Sequence, residues 1–144
     1  MTRRRYAVSA CLAGIACRYD GRDNARPEVV SLVRQGRAIP VCPESLGNLG
    51  IPRPPCEMYC GRVLTQEGED RTDAFVQGAE SALRIACAFG CDAAILKARS
   101  PSCGRGAVYD GSFTRTLTQG DGVFASMLLQ RGIPVFTEEE PDSL

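Results

Sequence analysis

The stretch Thr72-Asp-Ala-Phe-Val-Gln-Gly-Ala-Glu-Ser-Ala-Leu-Arg-Ile-Ala-Cys-Ala-Phe89, followed by Gly90-Cys-Asp-Ala-Ala-Ile-Leu-Lys97, decides the fold. Phe75, Val76, Ala79, Leu83, Ala86 and Phe89 recur at helical spacing, and Thr72 stands where it would cap a helix from Asp73 to Phe89. Gly90 ends that helix. The short run Asp92–Lys97, apolar at its centre, then reads as a strand buried on both faces.

The same alternation extends in both directions. Upstream, Tyr6–Ser9 is a short buried strand that ends at a Cys-Leu-Ala-Gly turn. Pro27–Gln35 reads as a helix with proline at its start, an apolar face at Val29, Val30, Leu32 and Val33, and Gly36 as its stop. Ala38–Cys42 is a second strand, although Pro40 cannot donate to a ladder and belongs at a strand end, an edge or a bulge. Downstream, a helix from about Asp121 to Gln130 precedes Gly132 and a last strand at Ile133–Phe136. Residues 43–60 read as loop, Arg62–Thr65 with the Glu67–Asp70 turn as a small hairpin flap, and the acidic tail from Glu138 as frayed. Strands alternating with helices predict a three-layer α/β/α, Rossmann-like domain over residues 1–144, with a mainly parallel sheet of about four to five strands.

Composition narrows the chemistry. Of 144 residues, 44% are apolar and 24% charged, which fits one soluble core. The net charge of zero gives no global attraction to nucleic acid, and Arg3, Arg4 and Arg5 read as a solvated tail. No run approaches the roughly 20 apolar residues of a membrane span, and Tyr6–Ala16 lacks a signal-peptide core, so a cytoplasmic protein is expected. A reducing compartment leaves eight cysteines needing an explanation other than disulfides. Cys87, in the apolar helix, and Cys91, at a strand start, read as core thiols. The absence of histidine removes Ser-His-Asp and Cys-His catalysis and every His-containing zinc site.

In parallel sheets, ligands bind beyond the carboxyl ends of the strands. The first strand runs into Cys11, the second ends on Cys42, and the third leads through Arg99-Ser-Pro-Ser to Cys103. Three distant segments therefore deliver thiols to one sheet edge, as a metal site requires. No Cys-x-x-Cys pair is present, which disfavours structural zinc, and scattered cysteines better match an iron–sulfur cluster. Three thiolates on a four-iron cluster would leave one iron open for chemistry. Glu44 shares a loop with Cys42. Beside an anionic cluster it is expected to hold its proton more readily and to act in proton transfer. Ser100 and Ser102 flank Pro101 just before Cys103 and are placed to face the same pocket, while Cys103-Gly104-Arg-Gly offers backbone amides to an anion.

Five blocks carry a resemblance to a known family: Ser9-Ala-Cys-Leu-Ala-Gly14, Cys17-Arg-Tyr-Asp-Gly21, Val41-Cys-Pro-Glu44, Pro52-Arg-Pro-Pro55 and Leu96-Lys-Ala-Arg-Ser-Pro-Ser-Cys-Gly104. With Tyr109–Phe113 and Gly120–Val123, they run in order along nearly the whole chain and resemble the thiouracil desulfidase (TudS) family. The resemblance implies an enzyme whose [4Fe–4S] cluster is held by three cysteines, with an unligated iron to take the sulfur of a small thiolated base. It implies hydrolysis without redox change, of 2-thiouracil to uracil, and dependence on iron–sulfur assembly machinery. Carried onto this chain, the catalytic residues are Glu44 and Ser100, and the preferred ligands are Cys11, Cys42 and Cys103, with Cys17 a possible further one. Ser102, Gly104, Arg53 and Asp20 are the expected substrate contacts. Two positions depart from the family pattern: Cys56 stands where alanine is usual, and Asn48 where glycine is usual. A non-catalytic zinc-binding or redox-sensing thiol module is the alternative reading, and a tRNA-acting desulfidase is disfavoured by the neutral charge.

Overall fold

A computed structural model describes residues 4–140 of the chain. Four strands form one parallel sheet: β1 (Tyr6–Ser9), β2 (Ala38–Val41), β5 (Ala93–Leu96) and β8 (Val135–Thr137), in the order β2-β1-β5-β8. Tyr6 pairs with both Ala38 and Ala93, and Ala94 pairs with Val135, so every strand exits on the same edge. Pro40 causes no conflict, because β2 is an edge strand and the missing donor costs the ladder nothing inside the sheet.

The helices are α1 (Pro27–Arg34), α2 (Pro43–Leu46), α3 (Thr72–Phe89) and α4 (Val123–Gln130). Alternate residues of the central strands serve opposite faces. Ala7, Ala94 and Leu96 pack with Ala79, Ala82 and Ala86 of α3 and with Phe124 and Leu128 of α4. Tyr6, Val8, Ala93 and Ile95 pack instead with Val29 and Leu32 of α1. The alanine stripe on α3 brings that helix close to the sheet, and Gly90, with φ 77°, closes it in the left-handed conformation expected of a glycine cap.

Several expectations need correction. Thr72 does not cap α3: its hydroxyl accepts the Val63 N–H, and Asp70 accepts the Thr72 N–H. Residues 43–60 are not all loop, since they hold α2 and a strand, β3 (Cys56–Tyr59), which pairs antiparallel with β4 (Arg62–Thr65) across Cys60 and Gly61. Both turn residues have positive φ, the geometry of a tight two-residue hairpin, so the flap is β3–β4. A second hairpin, β6 (Ala107–Tyr109) with β7 (Leu117–Gln119), lies between β5 and α4. The tail is not frayed at its start, because Glu138 is buried and bonded; residues 141–144 lie outside the described residues. Cys87 is exposed and not a core thiol, whereas Cys91 is half-buried against the core. Asn48 has φ 63°, which explains why a position that favours glycine accepts asparagine.

Helix α2 is short and is held by contact with α3. A Cβ on Gly78 would overlap the Pro43 carbonyl oxygen, and one on Gly47 would overlap the Ala74 carbonyl oxygen. Two glycines thus let the helices touch backbone to backbone, which fixes the segment that carries Cys42 and Glu44.

Candidate active site

The strand exits of β1, β2 and β5 open onto a cleft of about 520 Å³. Cys11, Cys17, Cys42 and Cys103 all line it, together with Glu44 and Ser102. Each thiol arrives by a different local device. Cys11 sits in a 3-10 turn, Ala10–Ala13, that follows β1 directly. Cys42 is the residue before α2, with Pro43 at the first helical position. Cys103 closes a turn in which the Ser100 hydroxyl accepts the backbone N–H groups of Ser102 and Cys103, each at 3.1 Å.

The four thiols feel one another. Burial is the main cause that pushes Cys11 up, with the Cys42 charge adding to it, and burial pushes Cys103 up to about 12. Cys42 goes the other way, held down to about 6 by hydrogen bonding from the Cys17 thiol, then by Ser45 and Arg53. Cys17 keeps its proton, chiefly because it donates to Cys42. The two sulfurs pull in opposite directions, Cys42 toward the thiolate and Cys17 toward the thiol, with Cys42 Sγ also 3.9 Å from the Cys17 carbonyl oxygen.

Glu44 is clamped from two sides. Its Oε1 accepts from Arg53 Nε at 3.0 Å, and its Oε2 accepts from Ser102 Oγ at 3.0 Å. Both contacts stabilise the carboxylate anion. Ser100 Oγ lies 3.0 Å from Ser102 Oγ. Since Ser100 already accepts two amides and Ser102 gives its proton to Glu44, the remaining proton runs from Ser100 to Ser102. A relay Ser100–Ser102–Glu44 results.

Arg53 lines the cleft, but three of its five N–H donors are engaged within the protein. Its side chain is 6% exposed, and besides Glu44 its donors reach the carbonyl oxygens of Gly50 and Cys17, each at 2.8 Å. It holds Glu44 and the Cys17 loop in place. Gly104 spends its N–H on the Ser100 carbonyl at 2.8 Å and does not line the cleft, so no anion-binding amide is available there. Asp20 is exposed, pairs with Arg18 at 3.2 Å, and also lies outside the cleft. Ser100 and Ser102 do line it, as expected.

Sequence reasoning missed part of the wall. Glu57 of β3 lines the cleft, as do Tyr109, Phe113 and Arg115 from the β6–β7 hairpin; Cys56, the position that departs from the family pattern, lines it too. Burial pushes the Cys56 thiol up to about 11, so it stays protonated, while Cys60 is exposed at the hairpin turn and does not line the cleft. The block Tyr109–Phe113 was the available signal, but nothing in its letters places it opposite β3.

The donor set suits an iron–sulfur cube. Thiols from three separate strand exits line one cleft, and soft thiolate donors are what such a cluster takes. Ser45 Oγ is buried beside Cys42, where its hydroxyl is placed to donate to an anionic sulfur.

Comparison with known proteins agrees. The sequence profile of the family described as 2-thiouracil desulfurase matches residues 7–140. YbbK of Bacillus subtilis (strain 168), an uncharacterized protein, is 39% identical, over 92% of this chain and 95% of its own length. A solved structure of a [4Fe-4S]-dependent thiouracil desulfidase, TudS, matches with a TM-score of 0.92 and 40% identity, over 99% of this chain and 95% of that one. An α/β sheet that gathers thiols at one edge, a clamped carboxylate beside them, and a family match over nearly the whole length lead to one conclusion: this chain belongs to the 2-thiouracil desulfurase family.

Proposed function

We propose that the protein is an iron–sulfur enzyme that hydrolyses the C–S bond of a thiolated nucleobase such as 2-thiouracil, releasing sulfide without a change in redox state. A [4Fe–4S] cluster bound here supplies a thiophilic Lewis acid with an open coordination position for the substrate sulfur. Cys11, Cys42 and Cys103 are its ligands, and Cys17 serves as a hydrogen-bond donor to Cys42. Glu44 is the general base that takes a proton from water, because it is the carboxylate held among these thiols by Arg53 and Ser102. Ser102 aims that carboxylate, and Ser100 holds both Ser102 and the Cys103 amide in position. The proton that Glu44 takes from water is the one it returns to the leaving sulfide, while Ser100 and Ser102 keep the carboxylate aimed.

The observation that carries this reading is the double hold on Glu44 in the cleft that Cys11, Cys17, Cys42 and Cys103 share. Cluster loading would come from iron–sulfur assembly machinery. Among the described residues no helix is long and apolar enough to cross a membrane. The test is anaerobic reconstitution with iron and sulfide, followed by incubation with 2-thiouracil. Sulfide and uracil in equal amounts support the proposal; a loaded protein that releases neither overturns it.

A further inference from the structure

Glu57 is a buried carboxylate on the cleft wall that the scheme above leaves without a task. It sits on β3, is 9% exposed, and lines the same cleft as Glu44. Its Oε1 accepts two backbone N–H groups, from Gly111 at 3.0 Å and Phe113 at 3.1 Å. Its Oε2 has no hydrogen-bond partner among the described residues. A carboxylate nine-tenths buried on the wall of a cleft, with two amides on one oxygen and no donor on the other, calls for a donor from whatever enters.

The surroundings say what kind of donor. Phe113 lines the cleft with φ 57°, an unusual conformation for an aromatic residue, and the Glu57 bond to its N–H helps hold it there. An aromatic ring and an acceptor oxygen anchored to the same residue make a site for a flat heterocycle that carries an N–H on its edge.

We propose that Glu57 is the base-recognition residue: Oε2 accepts a ring N–H of the substrate while Oε1 fixes the Phe113 wall. The inference rests on the proposed reaction for the identity of the donor, since a thiocarbonyl base has an N–H beside its C=S. It assigns specificity to a residue of the β3–β4 hairpin, apart from the Glu44 relay. A thiocarbonyl compound without such an N–H is then a poor substrate even where its sulfur reaches the metal.

The test uses the reconstituted holoenzyme, wild type and Glu57→Gln, with 2-thiouracil and its 1-methyl and 3-methyl derivatives. Glutamine keeps an oxygen for the two amides but turns an N–H₂ group toward the cleft. For wild type, at least one methylated substrate should show KM raised about 10- to 100-fold, the worth of a hydrogen bond to a charged group. Glu57→Gln should raise KM for 2-thiouracil by a similar factor with kcat and iron content unchanged, and should add little for the methylated substrate. Wild type that treats all three substrates alike overturns the inference without reference to any variant. So does a Glu57→Gln loss of equal size on every substrate, which would make Glu57 only a strut. Calorimetric binding of uracil, 1-methyluracil and 3-methyluracil separates the two proposals. N–H-dependent binding that Glu57→Gln abolishes, in an enzyme that releases no sulfide, supports recognition by Glu57 and overturns the reaction; neither binding nor turnover overturns both.

Discussion

Ser102 Oγ stands 3.0 Å from Glu44 Oε2, a bond between residues 58 positions apart that joins the loop after β5 to the first turn of α2. Neither residue alone marks a site, since one is a turn serine and the other a helix-start glutamate. Their meeting beside the thiols is what supports the proposed role of Glu44 as the base.

Replacing Glu44 by glutamine preserves volume and removes the base. Sulfide release from 2-thiouracil should fall by about 10²- to 10⁴-fold, the usual worth of a general base, with iron content unchanged. Parallel iron analysis and sulfide assay check this. Near wild-type turnover would remove Glu44 from the chemistry.

The two serines should separate. Ser100→Ala strips the acceptor from the Ser102 and Cys103 amides and should destabilise the protein by about 1–3 kcal/mol, with poorer cluster retention. Ser102→Ala removes one hydrogen bond to a carboxylate and should lower kcat by roughly 10- to 100-fold while leaving the melting temperature within a few degrees. Thermal melts and steady-state kinetics on both variants decide whether the roles are divided in this way.

Gly78→Ala probes positioning from a distance. The added methyl meets the Pro43 carbonyl, so α2 must shift, carrying Cys42 and Glu44 with it. Overpacking of this kind costs about 1–3 kcal/mol. The expected result is a lower melting temperature together with reduced iron binding; a stable, fully loaded variant would show that the α2–α3 contact does not set the site.

Glu138 supplies a pH signature. Burial works against its charge, but the Lys97 ammonium at 2.8 Å and the Ala98 N–H at 2.7 Å prevail and hold its carboxyl below the ordinary value. A carboxylate whose folded pKa is depressed stabilises the fold above its unfolded value, about 4.3, and that contribution is lost as pH falls through the folded value. The melting temperature of wild type should therefore drop more steeply below about pH 4 than that of Glu138→Gln. Because Glu138 tethers the Ala98 end of the loop leading to Cys103, Glu138→Gln should also loosen that loop at neutral pH.

The sheet and its edge were legible in the sequence because their signals are local. Short apolar strands alternate with glycine-stopped helices, and the thiols follow the strand ends directly, as with Val41 and Cys42. What could not be read depends on contacts between distant segments. Glu57 reaches Gly111 and Phe113 across 54 and 56 positions, and nothing in Cys56–Tyr59 announces a strand until Arg62–Thr65 pairs with it. Gly104 and Arg53 stood as substrate contacts by resemblance, but packing spends the Gly104 amide on Ser100 and three Arg53 donors on Glu44, Gly50 and Cys17. Asp20 fails for a related reason, since its loop turns the carboxylate outward to Arg18.

Whether three strand-exit thiols share one cluster is measured most directly by anaerobic reconstitution of wild type and of single Cys→Ser variants, with iron and sulfide analysis and electron paramagnetic resonance after reduction. Wild type, Cys17→Ser and Cys87→Ser should each carry about four irons and four sulfides, while serine at Cys11, Cys42 or Cys103 should abolish or severely deplete the cluster. An intact cluster in any of those last three variants, or a colourless wild-type protein, would contradict the account.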